Sequence, residues 1–265
     1  MSIEVLSLLL FCFVGILAGI IGGLLGLSGG VITVPCLIFI FRFLDFPSQY
    51  IMHMAVATSL ASLMVNGLLS TWSHHKHQGV VWDIFLSMIP GTFIGCVLGA
   101  LIANEIPSEV LEVIFGVFIC ILAVYVLLQK KKVEEKKKLS KMVYASLGFA
   151  VGTLSSLLGV GGGTFTVPLL LSRRFPTKLA IGTSAAISTL ITTISALTYL
   201  YLGEHVVTMS KSIGYIYLPA FIVITITTTL MAPIGTKLAY LIEGRLLRKI
   251  FAGTLIITGI SMIYR

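Results

Sequence analysis

Gly15–Leu37 reads GILAGIIGGLLGLSGGVITVPCL, and Gly148–Leu170 reads GFAVGTLSSLLGVGGGTFTVPLL. The segments match at 11 of 23 positions without a gap, including Leu-Leu-Gly, Gly-Gly and Thr-Val-Pro. Each lies in a long uncharged stretch, 37 residues for Val5–Phe41 and 31 for Met142–Ser172. A helix rises about 1.5 Å per residue, and about 20 residues cross the roughly 30 Å hydrocarbon layer. Each stretch is too long for one ordinary span, and the second is too short for two. Glycines interrupt both: Gly22-Gly23, Gly26 and Gly29-Gly30 in the first, Gly159 and Gly161-Gly162-Gly163 in the second. The pattern predicts a hairpin of two short helices that turns at the glycines, made twice.

Three further uncharged spans follow each hairpin. They are Met54–Ser73, Ile84–Asn104 and Val113–Gln129 in the first half, and Leu179–Gly203, Ser212–Thr236 and Ile250–Tyr264 in the second. The parallel continues through them. Ala57-Thr58-Ser59 matches Gly182-Thr183-Ser184, Pro90 matches Pro219, and Phe115 matches Phe251. Residues 1–129 therefore form a first repeat, 130–141 a basic cytoplasmic linker, and 142–265 a second repeat.

Hydrophobic residues make up 57% of the 265, charged residues 11%, and mean hydropathy is +1.06. A soluble domain carries about 25% charged residues. So little charge cannot cover a water-facing surface, which excludes a soluble enzyme or a free nucleic-acid binder. The net charge of +8 does not point to nucleic acid either, because seven of the 18 Lys and Arg crowd into Lys130–Lys141. Such juxtamembrane charge fixes topology. If each hairpin returns to the side it entered, the second half is inverted. With the linker inside, 15 Lys and Arg then face the cytoplasm and three (Arg42, Lys211 and Arg265) face out. A parallel arrangement would divide them 10 against 8. The positive-inside rule selects the inverted one and places both chain ends outside. The expected fold is thus an all-α polytopic membrane protein of two inverted repeats, each a Gly-broken helical hairpin plus three transmembrane helices. The N-terminus lacks a basic signal-peptide region and a small-residue cleavage site, so the first apolar stretch is expected to be retained. The four cysteines sit in apolar stretches without a CxxC pair and read as small apolar fillers.

Backbone left outside a helix in lipid must be buried in protein or line a cavity. In Leu27-Ser28-Gly29-Gly30 and Val160-Gly161-Gly162-Gly163 it can expose several N–H groups. The short helices that follow, with Thr33 and Pro35 or Thr166 and Pro168, present their positive N-termini there. Two such termini entering from opposite sides make an anion site without a buried Lys or Arg. Close helix packing is the other use of such glycines. The hydroxyl pairs Thr58-Ser59 and Thr183-Ser184 can donate to an oxyanion or bond back to their own helices. These turns and hydroxyls are the candidate substrate-binding residues.

The spans carry almost no ionisable residue: Asp45, Asp83, Glu105, Glu109 and Glu204 sit at segment ends, and His53 and His205 near them. Proton-coupled pumps usually place such groups within spans. Their position suits export of an anion, which an inside-negative potential favours by about 2.3 kcal/mol per charge per 100 mV. His74-His75-Lys76-His77 could offer imidazoles to a metal, but no acidic or Cys partner lies at ligand spacing, and a solvated loop is expected. No Walker or HExxH motif occurs, so neither catalysis, nor ATP-driven transport, nor a cofactor is expected.

The pair GLLGLSGGVITVPCL and SLLGVGGGTFTVPLL resembles the sulfite exporter TauE/SafE family of bacterial membrane proteins. Ala57-Thr58-Ser59 and Gly182-Thr183-Ser184 fit that family's GTS elements, and Pro90-Gly91 with Gly95 and Gly99 resembles its P-G-xxx-G-xxx-G helix. The resemblance spans nearly the whole chain. It departs at Ser28, which stands where the second repeat has Gly161, and at Pro219-Ala220, which lacks the glycine ladder. It implies a multi-pass transporter of the cytoplasmic membrane that moves sulfite, thiosulfate or an organosulfonate such as sulfoacetate, outward, as a single chain or an oligomer. The rival readings are a transporter of another small anion or of a metal cation, and a non-transport membrane assembly protein. A metal transporter needs polar ligands at the midplane, and an assembly factor or intramembrane enzyme needs a soluble loop or a catalytic dyad.

Overall fold

A computed structural model of the chain describes residues 3–25, 29–128, 139–173, 175–204, 210–239 and 244–263. Five helices precede the basic linker: α1 Ile3–Leu25, α2 Gly30–Phe43, α3 Ile51–Lys76, α4 Trp82–Glu105 and α5 Ser108–Leu128. Five follow it: α6 Lys141–Leu158, α7 Gly163–Ser172, α8 Thr177–Gly203, α9 Leu218–Ala239 and α10 Gly244–Ile263. Between α8 and α9, β1 (Ser212–Ile213) pairs antiparallel with β2 (Ile216–Tyr217).

Among the described residues, six helices are long and apolar enough to cross a membrane: α1, α3, α4, α6, α8 and α9. Their outer faces carry large exposed apolar side chains such as Phe13, Trp72, Leu86, Phe93, Leu197 and Leu230. An apolar surface of this extent is stable only against hydrocarbon. The chain is an all-α, multi-pass protein of the lipid bilayer.

One expectation is corrected. The hairpins do not consist of two short helices each, because their first arms are long. α1 has 23 residues and α6 has 18, whereas the returning arms α2 and α7 have 14 and 10. At 1.5 Å per residue α1 extends about 34 Å, a full crossing. The helix runs through Gly15, Gly19, Gly22 and Gly23. A glycine inside a helix costs only about 1 kcal/mol, and here it makes room for α9: a Cβ on Gly15 would strike Thr227, and one on Gly19 would strike Thr228 and Met231. In the second half the break falls at Gly159, whose φ of +69° ends α6 in the left-handed region.

Both hairpins close on the end from which they start, and the two ends are opposite. Glu4, at the start of α1, bonds Lys211 beside β1, and Phe41, near the end of α2, packs on Tyr217 of β2. Tyr144, near the start of α6, shares one apolar cluster with Leu170 and Phe175 at the end of α7, and with Val81 and Ile84 at the start of α4. The central helix α3 joins these ends. Its first turn places His53 on Tyr215, and just beyond its last residue Gly79 touches Gly182 of α8. Tyr199, near the end of α8, also packs on Tyr215, so α3 and α8 run in opposite directions.

Packing exchanges helices across the linker. α1 lies along α9, α4 along α6, α3 against α8 and α5 against α10. Gly91, Gly95 and Gly99 of α4 rest on the carbonyls of Ala145, Phe149 and Thr153 of α6, where a Cβ would collide with backbone. Small residues at this spacing let helix axes approach closely in lipid, where packing rather than water exclusion drives association. Among the largest fully buried side chains are Phe11, Phe41, Met52, Leu60, Phe115 and Tyr199.

Candidate functional site

The two glycine turns touch. A Cβ on Gly30 would lie 2.6 Å from the carbonyl oxygen of Gly159 and 3.0 Å from Cδ1 of Leu63. The same Gly159 carbonyl accepts the hydroxyl of Ser59 at 3.1 Å. On the other side, a Cβ on Gly162 would meet Cδ1 of Ile191 at 2.5 Å and Oγ of Ser188 at 3.5 Å. Leu63 is the thirteenth of 26 residues in α3, and Ser188 the twelfth of 27 in α8. The short helices α2 and α7 therefore begin at mid-length of the two central helices, one approaching from each end. First-turn amides of a helix have no carbonyl upstream within it, and the summed peptide dipoles make that end positive.

A cavity of about 600 Å³ opens beside these termini. Gly29, Gly161, Gly163, Leu63, Ser184 and Ser188 line its inner part, and Asn66, Thr192, Thr228 and Thr229 add polar atoms to its walls. It extends past Ser70 and Ser73 to His74, at the end of α3 that carries Lys76. Among the described residues that line it there is no Asp, Glu, Lys or Arg. It offers hydroxyls, one amide, the imidazole of His74, backbone and apolar surface.

The opposite end is filled by aromatic side chains. Phe41 and Phe46 stack with centroids 4.7 Å apart, and both meet the ring of Tyr217 edge-on. Tyr215 receives His53 and Tyr199, and its hydroxyl donates to Oδ1 of Asn104 at 3.0 Å. Burial, with a smaller contribution from Tyr50, raises the pKa of the Tyr215 phenol, so it remains a donor at physiological pH.

The candidate residues divide by what their side chains already bond. Gly29, Gly161, Gly163 and Ser184 line the cavity, while Gly30 and Gly162 stand behind it in helix contacts. Thr33 and Thr166 are buried and donate within their own helices, to the carbonyls of Gly29 (3.0 Å) and Gly162 (2.8 Å). Thr58 and Thr183 accept backbone amides from the other half, Tyr217 N–H at 3.1 Å and Val81 N–H at 2.8 Å. Ser59 is spent on Gly159. Ser184 is 1% exposed, and among the described residues neither its Oγ nor that of Ser188 has a partner. An unmatched buried hydroxyl costs about 1–3 kcal/mol, which a ligand in the cavity can recover. Ser28 and most of the 130–141 linker lie outside the described residues. Among the described residues, His77 Nδ1 bonds the carbonyl of Ser73, and the ring of His75 packs edge-on against Trp82.

Two features went unread in the sequence. Asn66 donates to the carbonyl of Ser62 and accepts the hydroxyl of Thr229, which fixes its amide on the cavity wall. Of the two asparagines it is the one in the interior of an uncharged stretch, Asn104 being the last residue of another, and that was the available signal. Glu112 is buried in α5 and pairs with Arg42 at the end of α2. The two are 70 positions apart, and nothing local joins them.

Comparison with known proteins agrees with this architecture. The sequence profile of the family described as "Sulfite exporter TauE/SafE" matches residues 11–262. A "Probable membrane transporter protein" of Haemophilus influenzae is 32% identical over 257 residues, covering 96% of this chain and 97% of its own. One from Methanocaldococcus jannaschii is 30% identical over 268 residues, covering 99% and 98%. The similar protein YunE of Bacillus subtilis is 30% identical over 200 residues, 68% of this chain and 73% of its own. No solved structure matches the chain.

Proposed function

Because the chain belongs to the sulfite exporter TauE/SafE family of membrane transporters, we propose that it carries a small sulfur-containing anion, such as sulfite, thiosulfate or an organosulfonate, out across the cytoplasmic membrane. The observation that carries the reading is the cavity floor. There the N-termini of α2 and α7 converge beside the partnerless hydroxyl of Ser184, with no fixed charge in the lining. Helix N-termini and hydroxyls bind an oxyanion by donation without holding it as tightly as a buried Lys or Arg would, which suits a site that must also release. Apolar wall residues such as Ala18, Leu63 and Ala232 leave room for the carbon of an organosulfonate.

The two halves are inverted repeats in this reading. The exchanged helix pairs and the matched bonds Thr58–Tyr217 and Thr183–Val81 support it. With the Lys76 end in the cytoplasm, the cavity faces inward and the aromatic cluster around Tyr215 and Tyr217 closes the outer side. The potential then drives an anion outward by about 2.3 kcal/mol per charge per 100 mV. Calorimetric titration of the purified protein in lipid nanodiscs with sulfite, thiosulfate, sulfoacetate, sulfate and chloride tests the substrate class. Saturable binding of at least one sulfur anion, abolished by blocking the cavity, is expected. Binding of none of them, or equal binding of chloride, overturns the assignment.

A further inference from the structure

A second groove, of about 470 Å³, lies between the first turns of α4 and α6 and owes nothing to the transport cavity. Its lining includes Asp83 and Ser87 from α4 and Lys141 and Tyr144 from α6, with Leu86 and Phe175 as apolar walls. Residues three or four apart share a helix face, so each helix turns two polar groups into the groove. Tyr144 is 5% exposed and its hydroxyl has no partner. Neither Asp83 nor Lys141 belongs to an ion pair among the described residues. One carboxylate, one ammonium and one unsatisfied phenol thus line a single groove without neutralising each other.

The surroundings place this groove at a membrane–water boundary. Leu86 is 60% exposed on the lipid-facing side of α4, and Trp82 and Met142 are exposed beside it. Tryptophan concentrates at headgroup depth. A ligand here meets apolar chains below and charge above. A free inorganic anion would satisfy Lys141 but leave Asp83 facing it. A phosphatidylglycerol headgroup brings no cation for Asp83, and the quaternary ammonium of phosphatidylcholine has no N–H to donate. A primary ammonium has three donors, and a carboxylate accepts them in strong charge-assisted bonds.

We propose that the groove between α4 and α6 binds a phospholipid with a primary ammonium headgroup, its phosphate on Lys141 and Tyr144 and its ammonium on Asp83. The lipid caps the close-packed α4–α6 pair, which the glycine ladder Gly91, Gly95 and Gly99 holds together.

Native mass spectrometry of the full-length protein, delipidated and titrated with phosphatidylethanolamine, phosphatidylglycerol or phosphatidylcholine of matched chains, tests this. Wild type should retain phosphatidylethanolamine roughly tenfold better than phosphatidylcholine, the size of one charge-assisted bond. Asp83→Asn should erase that preference and Asp83→Glu should keep it. Lys141→Gln and Tyr144→Phe should weaken all three lipids. Equal retention of phosphatidylethanolamine and phosphatidylcholine by wild type overturns the proposal, as does a preference that survives Asp83→Asn. Stronger retention of phosphatidylglycerol, or competition by inorganic phosphate alone, would make the groove a plain anion site and overturn it as well. Unaltered sulfur-anion binding by Asp83→Asn is expected throughout, which keeps this result separate from the fate of the transport assignment.

Discussion

The hydroxyl of Ser59 donates to the carbonyl of Gly159, 100 positions later in the chain, at 3.1 Å. This bond fastens a central helix of the first half to the turn of the second half's hairpin. Gly30 fills the remaining space around the same carbonyl. Turn, hydroxyl and helix N-terminus form one unit, and its parts fail in different ways.

Gly30→Val should abolish anion binding and transport while the protein still inserts. The first added carbon already meets the Gly159 oxygen at 2.6 Å, and that atom is backbone, which cannot rotate away. The α2 N-terminus must then withdraw from the cavity. Gly162→Val meets the terminal Cδ1 of Ile191, a side-chain atom, rather than backbone and should be the milder variant. Uptake into proteoliposomes, with membrane fractionation as the insertion control, distinguishes them. Equal and normal transport by both would remove the turns from the site.

Ser184→Ala should leave the empty protein as stable as wild type, or more stable by up to about 1 kcal/mol, because it deletes a hydroxyl with no partner. The same change should weaken binding of the sulfur anion by about tenfold. Ser59→Ala should show the reverse, a stability loss of about 1 kcal/mol from the vacated Gly159 carbonyl with a smaller direct effect on the ligand. Thermal unfolding with and without anion reads both quantities. A Ser184→Ala protein that binds as wild type does would show that its hydroxyl never meets the substrate.

Thr58→Val and Thr183→Val should each cost about 1–3 kcal/mol of stability, since each strands a backbone amide that lies just ahead of a helix and outside its ladder. The amides are Tyr217 N–H and Val81 N–H, and the costs should be similar in the two halves. Denaturation in mild detergent measures them. A loss in one half only would argue against equivalent roles for the two threonines.

Cysteine placed at Lys136 should react with an impermeant thiol reagent only after the cytoplasmic face is opened, whereas cysteine at Ser2 or Arg265 should react in intact cells. The 15-to-3 division of Lys and Arg motivates this, and these three positions lie outside the described residues. Both termini protected in intact cells would reverse the orientation.

Much of the architecture was legible without coordinates because its causes are local. Low charge and long apolar runs dictate membrane insertion whatever their neighbours do. The duplicated glycine-rich turns announce where backbone leaves the helix, and Thr-Val-Pro marks the returning arms. The length of the first arm was misjudged for the opposite reason. Gly22 and Gly23 read as part of the turn, yet α1 continues through both, and the helix it packs along, α9, belongs to the other half of the chain, which no local pattern announces.

The sequence by itself determined a polytopic helical protein with two matching halves, two broken hairpins and twelve residues that could meet an anion. Only the tertiary structure decided which of those residues have donors to spare. Thr33 and Thr166 donate to carbonyls four residues earlier, whereas Thr58 and Thr183 accept backbone amides across the halves and spend no donor in doing so. Ser59 and Ser184 occupy matching positions in the sequence, yet one hydroxyl is bonded and the other faces the cavity without a partner. A hydroxyl's chemistry is the same at both positions. What differs is the atom that folding brings within hydrogen-bonding distance of it, and a repeat in sequence cannot specify that contact, because its other partner is contributed by a distant segment of the chain.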